Sequence, residues 1–402
     1  MMEPRLPIGA LIRHYRKKHG NRSMAAVAGL CGVSERYLSM IENGKRTPSS
    51  KLLARIAAEL DVPVASLLSD EPPPKAPPSM TTTPDIARAL MGYGSPREDV
   101  AAGPTELRDR VEEAWRTWQT SEERFTEIET VLPALIEDME RSVRAHRTSS
   151  DATARRDVLR AAADLYGLLR SYCRRSGRLD LSLMVADRAR RAAEDADDPI
   201  RLAAAQWNLG HSLLSQNGGA QEAEEVARIA IDDLGTLTES AETAAMQGAL
   251  ELVRVVAEAQ SKKWWDARDR LLQKAAPLGR KAGDSNVMWT VFGPVNIHLH
   301  ALSIEMLAGR SAEGLRRADE VDVSQLPSRE RQFTFTLELA RCYDLRRDDA
   351  AVLVHLLDLE KLSSEDMTRS ASAVGLVTSL LHRVRPTYRR QVSDLAERLG
   401  IA

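Results

Sequence analysis

Apolar residues recur three and four positions apart along most of this 402-residue chain, so helix is the predicted element almost throughout. Ile8, Leu11, Ile12 and Tyr15 form the inner stripe of a first helix, Ile8–His19, whose other face carries Arg13, Arg16, Lys17 and Lys18. Gly20-Asn21 ends it, and Ser23 caps a second helix that turns Val27, Ala28 and Cys31 inward. Gly32 closes that helix and Ser34 caps a third. The Ser34 hydroxyl accepts an orphan backbone N–H, and Glu35 lies in the positive first turn. Leu38 and Ile41 share the apolar face, which leaves Glu35, Arg36, Ser39 and Met40 pointing outward. Gly44 stops the third helix, with Lys45 and Arg46 just beyond. Leu52, Leu53, Ile56, Ala57 and Leu60 give a fourth helix, and Val64, Leu67 and Leu68 a short fifth.

The periodicity then breaks. Pro72–Pro78 holds five prolines in seven residues, an extended spacer rather than core. Three domains follow from this break: a helical head over 1–70, a linker with a short helix (Asp85–Met91) over 71–104, and a helical remainder over 105–402. In the remainder, Val111, Trp115, Trp118, Phe125, Ile128, Leu132, Leu135 and Met139 mark two amphipathic helices. Loops near Gly177, Gly218, Lys262, Gly309 and Arg346 then recur at intervals of 37 to 47 residues. The first four precede helices with small contacts: Ala186/Ala189, Ala227/Ala230, Ala267/Ala275 and Ala312/Ala318. Helix pairs stacked into a solenoid with a concave face fit that pattern, and Tyr388–Leu399 reads as the helix covering its end.

Charge separates the same regions. The chain is net −2, yet residues 1–70 are net +5 and the remainder net −7. A basic head on an acidic body fits nucleic-acid binding by the head alone. Aromatic residues make up only 4%, against 43% apolar, which suits helices packed through small side chains. No apolar run approaches the ~20 residues of a membrane span, so no membrane partner is expected. Cys31, Cys173 and Cys342 stand alone, which fits a reducing cytoplasm and no structural zinc.

The runs Ser23–Ala28, Gly32-Val33-Ser34 and Ser39–Ser49 (SMIENGKRTPS) resemble the Cro/CI-like, or xenobiotic-response-element type, helix-turn-helix family. The likeness covers Ile8 to Leu68 and implies a five-helix DNA-binding head. It places Glu35, Arg36, Tyr37 and Met40 against base edges. Arg22, Ser23, Met24, Ser34, Ser39, Asn43, Lys45 and Arg46 fall at or near the phosphate backbone, and Arg16 and Glu42 form an internal ion pair. Two departures bear on helix 2: Met24 stands where the family usually has Gln, and the loop before it is one residue longer. Trp207-Asn208-Leu209-Gly210 resembles the tetratricopeptide signature, in which Trp packs and Gly allows close helix approach. The stretches Phe292–Asn296 and Gln325–Arg331 resemble regulators that join such a head to such repeats. The architecture so implied is all-α: the head, the Pro-rich linker and an α-solenoid of tetratricopeptide-like pairs. Partners expected from it are double-stranded DNA at a palindromic operator, a second copy of the chain, and a small-molecule or peptide ligand in the concave face.

Catalytic chemistry has no constellation here. The chain lacks a phosphate-cradling Gly-rich loop and a nucleophile elbow. His298 and His300 point about 200° apart on a helix, which excludes one shared metal. No enzyme activity and no cofactor are expected. Polar residues on the inner helices are the candidate ligand contacts: Asn208 and His211; Gln247, Glu251 and Arg254; Asn296 and His300. Trp207, Trp264, Trp265 and Trp289 read as inter-helix packing. The competing reading is a repeat scaffold that holds a protein partner, with the head as tether; an antitoxin-like role ranks third.

Overall fold

The computed structural model describes residues 8–18, 23–60, 62, 64–68, 84–92, 101–323, 326 and 328–401; every regular element among them is helical. The chain divides into two compact units, Met1–Ser79 and Met80–Ala402. The Pro-rich run Pro72–Pro78 and residues 19–22, including Arg22, lie outside the described residues.

The first unit holds α1 (Ile8–Lys18), α2 (Met24–Leu30), α3 (Glu35–Glu42), α4 (Ser50–Glu59) and α5 (Val64–Leu68). Leu11, Ile12, Tyr15, Val27, Leu38, Ile41, Ile56 and Leu60 make its core; of the other stripe positions read from the sequence, Ile8, Leu52 and Val64 are half-buried and Leu68 is exposed. One close approach decides how α1 lies on α3. At Gly9 an added Cβ would overlap the Ile41 carbonyl, so only glycine lets the two backbones meet.

The second unit begins with α6 (Pro84–Met91), followed by α7 (Pro104–Thr120) and α8 (Arg124–His146). Within the 71–104 segment read as linker, Ile86, Ala89 and Leu90 of α6 are buried in the same core as Leu132 and Ile136 of α8. Helix pairs then follow: α9 (Ala152–Arg175) with α10 (Leu179–Asp195), and α11 (Pro199–Leu214) with α12 (Ala220–Leu234). Next, α13 (Ala241–Gln260) precedes α14 (Trp264–Arg270), which continues through a π-turn, Leu271–Ala275, into α15 (Ala276–Ala282). The series closes with α16 (Pro294–Leu307), α17 (Ser311–Ala318), α18 (Arg329–Leu345), α19 (Asp349–Leu362), α20 (Ser364–Arg369), α21 (Ala371–Arg383) and α22 (Pro386–Arg398). Among the described residues no helix is long and apolar enough to cross a membrane.

The periodic loops have a common backbone cause. Gly177, Gly218, Lys262, Gly309 and Arg347 all take positive φ, from 59° to 85°. At four of them the helix ends in the same pair of bonds, as in Lys262 N–H to the Ala259 carbonyl and Lys263 N–H to Glu258. Ala186, Ala189, Ala227, Ala230, Ala267 and Ala275 are buried as expected. Ala312 is exposed instead; Gly314 makes that contact, where a Cβ would lie 3.0 Å from Cys342 Sγ. Gly210 has the role its motif suggests, since a Cβ there would stand 2.9 Å from Val253 Cγ1. Trp265 departs from the packing expected of it. It is 72% exposed, with Arg268 and Arg310 over its ring.

The solenoid returns on itself. Helix α8 has no N-cap side chain of its own. Its first N–H groups, Phe125 and Thr126, instead donate to the Glu365 carboxylate of α20, at 2.8 and 3.2 Å. Arg124, at the same helix start, pairs with Asp366, and Arg329 donates to the Thr120 carbonyl at 2.7 Å. These bonds tie the last pairs to the first and bring α18 across the inner ends of α7 and α9.

Candidate functional site

In the head, two helix ends frame the surface that matters. Gly32 (φ 66°) ends α2: its N–H bonds the Gly29 carbonyl, and Val33 N–H bonds Ala28. Two residues later the Ser34 hydroxyl accepts the Tyr37 N–H at 3.2 Å and starts α3. Gly44 (φ 71°) ends α3 in the same way, with Lys45 N–H on the Met40 carbonyl at 2.8 Å. Asn43 folds back, its amide donating to the Ser39 carbonyl at 2.8 Å.

Between those stops Leu38 and Ile41 face the core, while Glu35 and Arg36 are exposed and Tyr37, Ser39 and Met40 half-exposed. Ser34, Asn43, Lys45 and Arg46 are exposed at the two ends of α3, and Ser23 and Met24 lie at the start of α2. The expected internal pair is present: Arg16 Nε and Nη2 hold the two Glu42 oxygens at 2.6 and 2.9 Å. It is bidentate and buried, and it fixes the end of α3 against α1. Residues 12–67 match the helix-turn-helix family. The head is a helix-turn-helix domain of the Cro/CI type.

Over 65 residues the chain is 42% identical to the "HTH-type transcriptional regulator SinR" of Bacillus licheniformis and, equally, of Bacillus subtilis strain 168. That match covers 16% of this chain and 58% of the length of those relatives. Among solved structures, the chain is similar to Bacillus thuringiensis PlcR, crystallised with the peptide PapR7 and DNA. There the identity is 13%, the coverage 88% of this chain and 98% of that one, and the TM-score 0.30.

Beyond the helix-turn-helix head, the repeat unit encloses a chamber of about 50 Å³ where α7, α9, α11 and the start of α18 converge. Trp115, Trp118, Trp207 and Trp289 form its aromatic walls; Arg170, Arg174, Glu330 and Arg331 supply its charge. Trp289 closes one side by stacking on Trp115, with ring centroids 4.8 Å apart. The segment bearing it is strained: Met288, Trp289 and Val291 all take positive φ without being glycine. Gln119 holds this segment in place, donating to the Trp289 carbonyl at 3.2 Å and accepting from Asn286 at 2.8 Å. On the far side of Gln119 and Trp289 lies a wider recess of about 500 Å³.

The expected ligand contacts divide between this chamber and the solenoid's own framework. His211 lines the chamber; Asn208 lies beside it, its carbonyl oxygen accepting from Arg170. Burial, then Arg170 and Arg174, hold the His211 imidazole well below its usual range; burial and Arg331 push His300 down to about 3. Asn296 is buried with an unpartnered Oδ1. Glu251 and Arg254 serve the framework instead: Glu251 accepts from Arg270 at 3.0 Å, and Arg254 donates to Glu224 at 3.3 Å. Gln247 is half-buried on the same helix and does not line the chamber.

Sequence reasoning passed over the chamber's arginines. One signal for them exists. Arg170 lies within Ala161–Cys173, where every residue is buried, and a charge inside a helix buried all round is costly unless paired. Among the described residues, no group of three or more His, Cys, Asp and Glu is placed to hold a metal.

Proposed function

We propose that this chain is a sequence-specific DNA-binding transcription regulator whose repeat domain senses a small ligand or peptide, joins two copies of the chain, or does both. The observation that carries the reading is α3. It is a short helix stopped at both ends, pinned by the buried Arg16–Glu42 pair, with Glu35, Arg36 and Met40 directed away from the core. Such a helix suits insertion into a major groove, where Arg36 pairs bidentately with guanine and Glu35 accepts from cytosine N4. Each good pair contributes ~1–3 kcal/mol of discrimination. Ser23, Met24, Ser34, Tyr37, Ser39, Asn43, Lys45 and Arg46 border that helix and contact the flanking bases and phosphates. In a two-fold dimer the heads meet half-sites of a palindromic operator ~34 Å apart. A ligand acts by binding one arrangement of the heads better than another.

The test is selection of bound genomic fragments with the full chain and with Arg36→Ala. The expected result is that Arg36→Ala relaxes preference at one base pair per half-site while leaving the fold intact. An unchanged sequence preference overturns the base-reading role.

A further inference from the structure

The chamber holds more positive charge than the protein itself neutralises. Five guanidiniums, those of Arg124, Arg170, Arg174, Arg175 and Arg331, gather around two carboxylates, Glu330 and Asp366. Glu330 is shared three ways, with Arg175, with Arg124 at 3.4 Å and with Arg174 at 3.5 Å. Arg170 is 2% exposed, and its hydrogen-bond acceptor is the neutral amide of Asn208. The Nε atoms of Arg124, Arg170, Arg174 and Arg175 are buried with no hydrogen-bond partner. The Arg331 guanidinium makes no hydrogen bond or ion pair among the described residues; only its backbone N–H is bonded, to the Ser328 carbonyl.

An arginine stays charged, so it cannot relieve such burial by losing its proton. A buried cation with no carboxylate partner costs several kcal/mol, and Arg170, 2% exposed, is one; Arg174, which shares Glu330, and Arg331 lie half-buried beside it. Burial and mutual repulsion push Arg174 down to about 10 and hold Arg170 well below its usual range, with Glu330 opposing the fall in both. Hydrogen-bond donors are thus left open around a volume of about 50 Å³. That space takes three or four waters, or one phosphate- or carboxylate-sized group. The tryptophan walls lower the local dielectric and strengthen any charge pair formed inside.

We infer that this chamber is a binding site for the anionic group, phosphate or carboxylate, of a small organic ligand. Arg170, Arg174 and Arg331 are its donors. The 500 Å³ recess, which shares Gln119 and Trp289 with the chamber, houses the rest of the molecule. This rests on the reading of the repeat domain as the sensor, and it names the ligand's chemistry and its seat.

The experiment titrates the full chain with sodium phosphate and, separately, sodium citrate, against sodium chloride at equal ionic strength. Thermal unfolding is followed by tryptophan fluorescence. A saturable rise in midpoint is expected, about 4 °C once the probe stands 100-fold above its dissociation constant. Arg331→Met removes that rise without lowering the probe-free midpoint, because its guanidinium has no bond to lose. Arg228→Ala, which breaks an exposed pair with Glu225, keeps the full rise. A response to phosphate alone assigns a phosphoryl group, to citrate alone a carboxylate, and to both equally a site that reads charge. No saturable response to either probe, or an unchanged response in Arg331→Met, overturns the inference. DNA binding on the same samples separates the two readings. An anion response with no change in DNA affinity leaves the chamber standing and sinks the sensor role. Sequence-selective binding with no anion response sinks the chamber and leaves the DNA-reading role standing.

Discussion

Replacing Arg16 by methionine keeps an unbranched apolar stem and removes the guanidinium, stranding the Glu42 carboxylate. That carboxylate is 2% exposed at its side chain and sits on the last turn of α3. Losing one partner of a buried, bidentate pair costs ~3–5 kcal/mol, most of it the desolvation of the charge left behind. A head of this size holds only ~3–9 kcal/mol in all. Arg16→Met therefore brings the head to the edge of unfolding, whereas the pair of changes Arg16→Met and Glu42→Leu is close to neutral, since no charge remains buried. Hydrogen exchange on the full chain, read by peptide mass, measures this directly. Peptides spanning 8–18 and 35–42 should lose protection roughly 10²–10⁴-fold in Arg16→Met and regain most of it in the double variant. All six tryptophans lie in the second unit, so their fluorescence should stay unchanged and report that the repeats are intact. Unaltered protection in Arg16→Met, or a double variant as damaged as the single, refutes the reasoning.

Two further outcomes follow from buried carboxylates in the repeats. Burial pushes the Glu338 carboxyl up from 4.5 to about 7, against the pull of Arg341. A carboxyl whose folded value is raised binds its proton more tightly in the fold, so the repeat unit loses stability as pH climbs from about 4.5 through 7. Glu338→Gln should flatten that slope and raise the melting midpoint at pH 8, by up to about 3 kcal/mol on the full shift; equal slopes in scans from pH 5 to 8 refute it. Glu365→Ala removes the acceptor of the Phe125 and Thr126 N–H groups. The cost is that of a lost cap, ~1–2 kcal/mol, read as a lower urea midpoint with an unchanged slope.

The head was legible because its signals are local. Ser34, Gly32 and Gly44 each dictate a backbone conformation within four residues, and those three stops fix α3 almost to the residue. The loop spacing in the repeats was legible for the same reason, since each loop is one helix stop ending in a positive φ. Lys262 and Arg347 show where the local signal thins: the conformation is that of the glycine copies, and the residue type does not announce it. Gly9 was opaque, since its reason lies across the head in the Ile41 carbonyl. Trp265 failed differently. An aromatic residue reads as core in any periodic scheme, but here two arginines flank it at the surface.

The chamber was illegible for a reason that bears on what it does. Helical periodicity assigns charged residues to solvent; Arg174 and Arg331 look like ordinary members of a wet face, and Arg170 alone stands out within an apolar run. They converge only because the solenoid comes round far enough for α18 to lie across α7 and α9, a closure secured by the ties of Arg124, Arg329 and Glu365. The same bonds that close the ring therefore concentrate its charge. Anything that neutralises those arginines removes repulsion between the first and last pairs and favours the closed arrangement. Loss of closure would conversely return the arginines to water and weaken their hold on an anion. Occupancy of the chamber and curvature of the solenoid are thus thermodynamically linked, and the linkage must run equally in both directions.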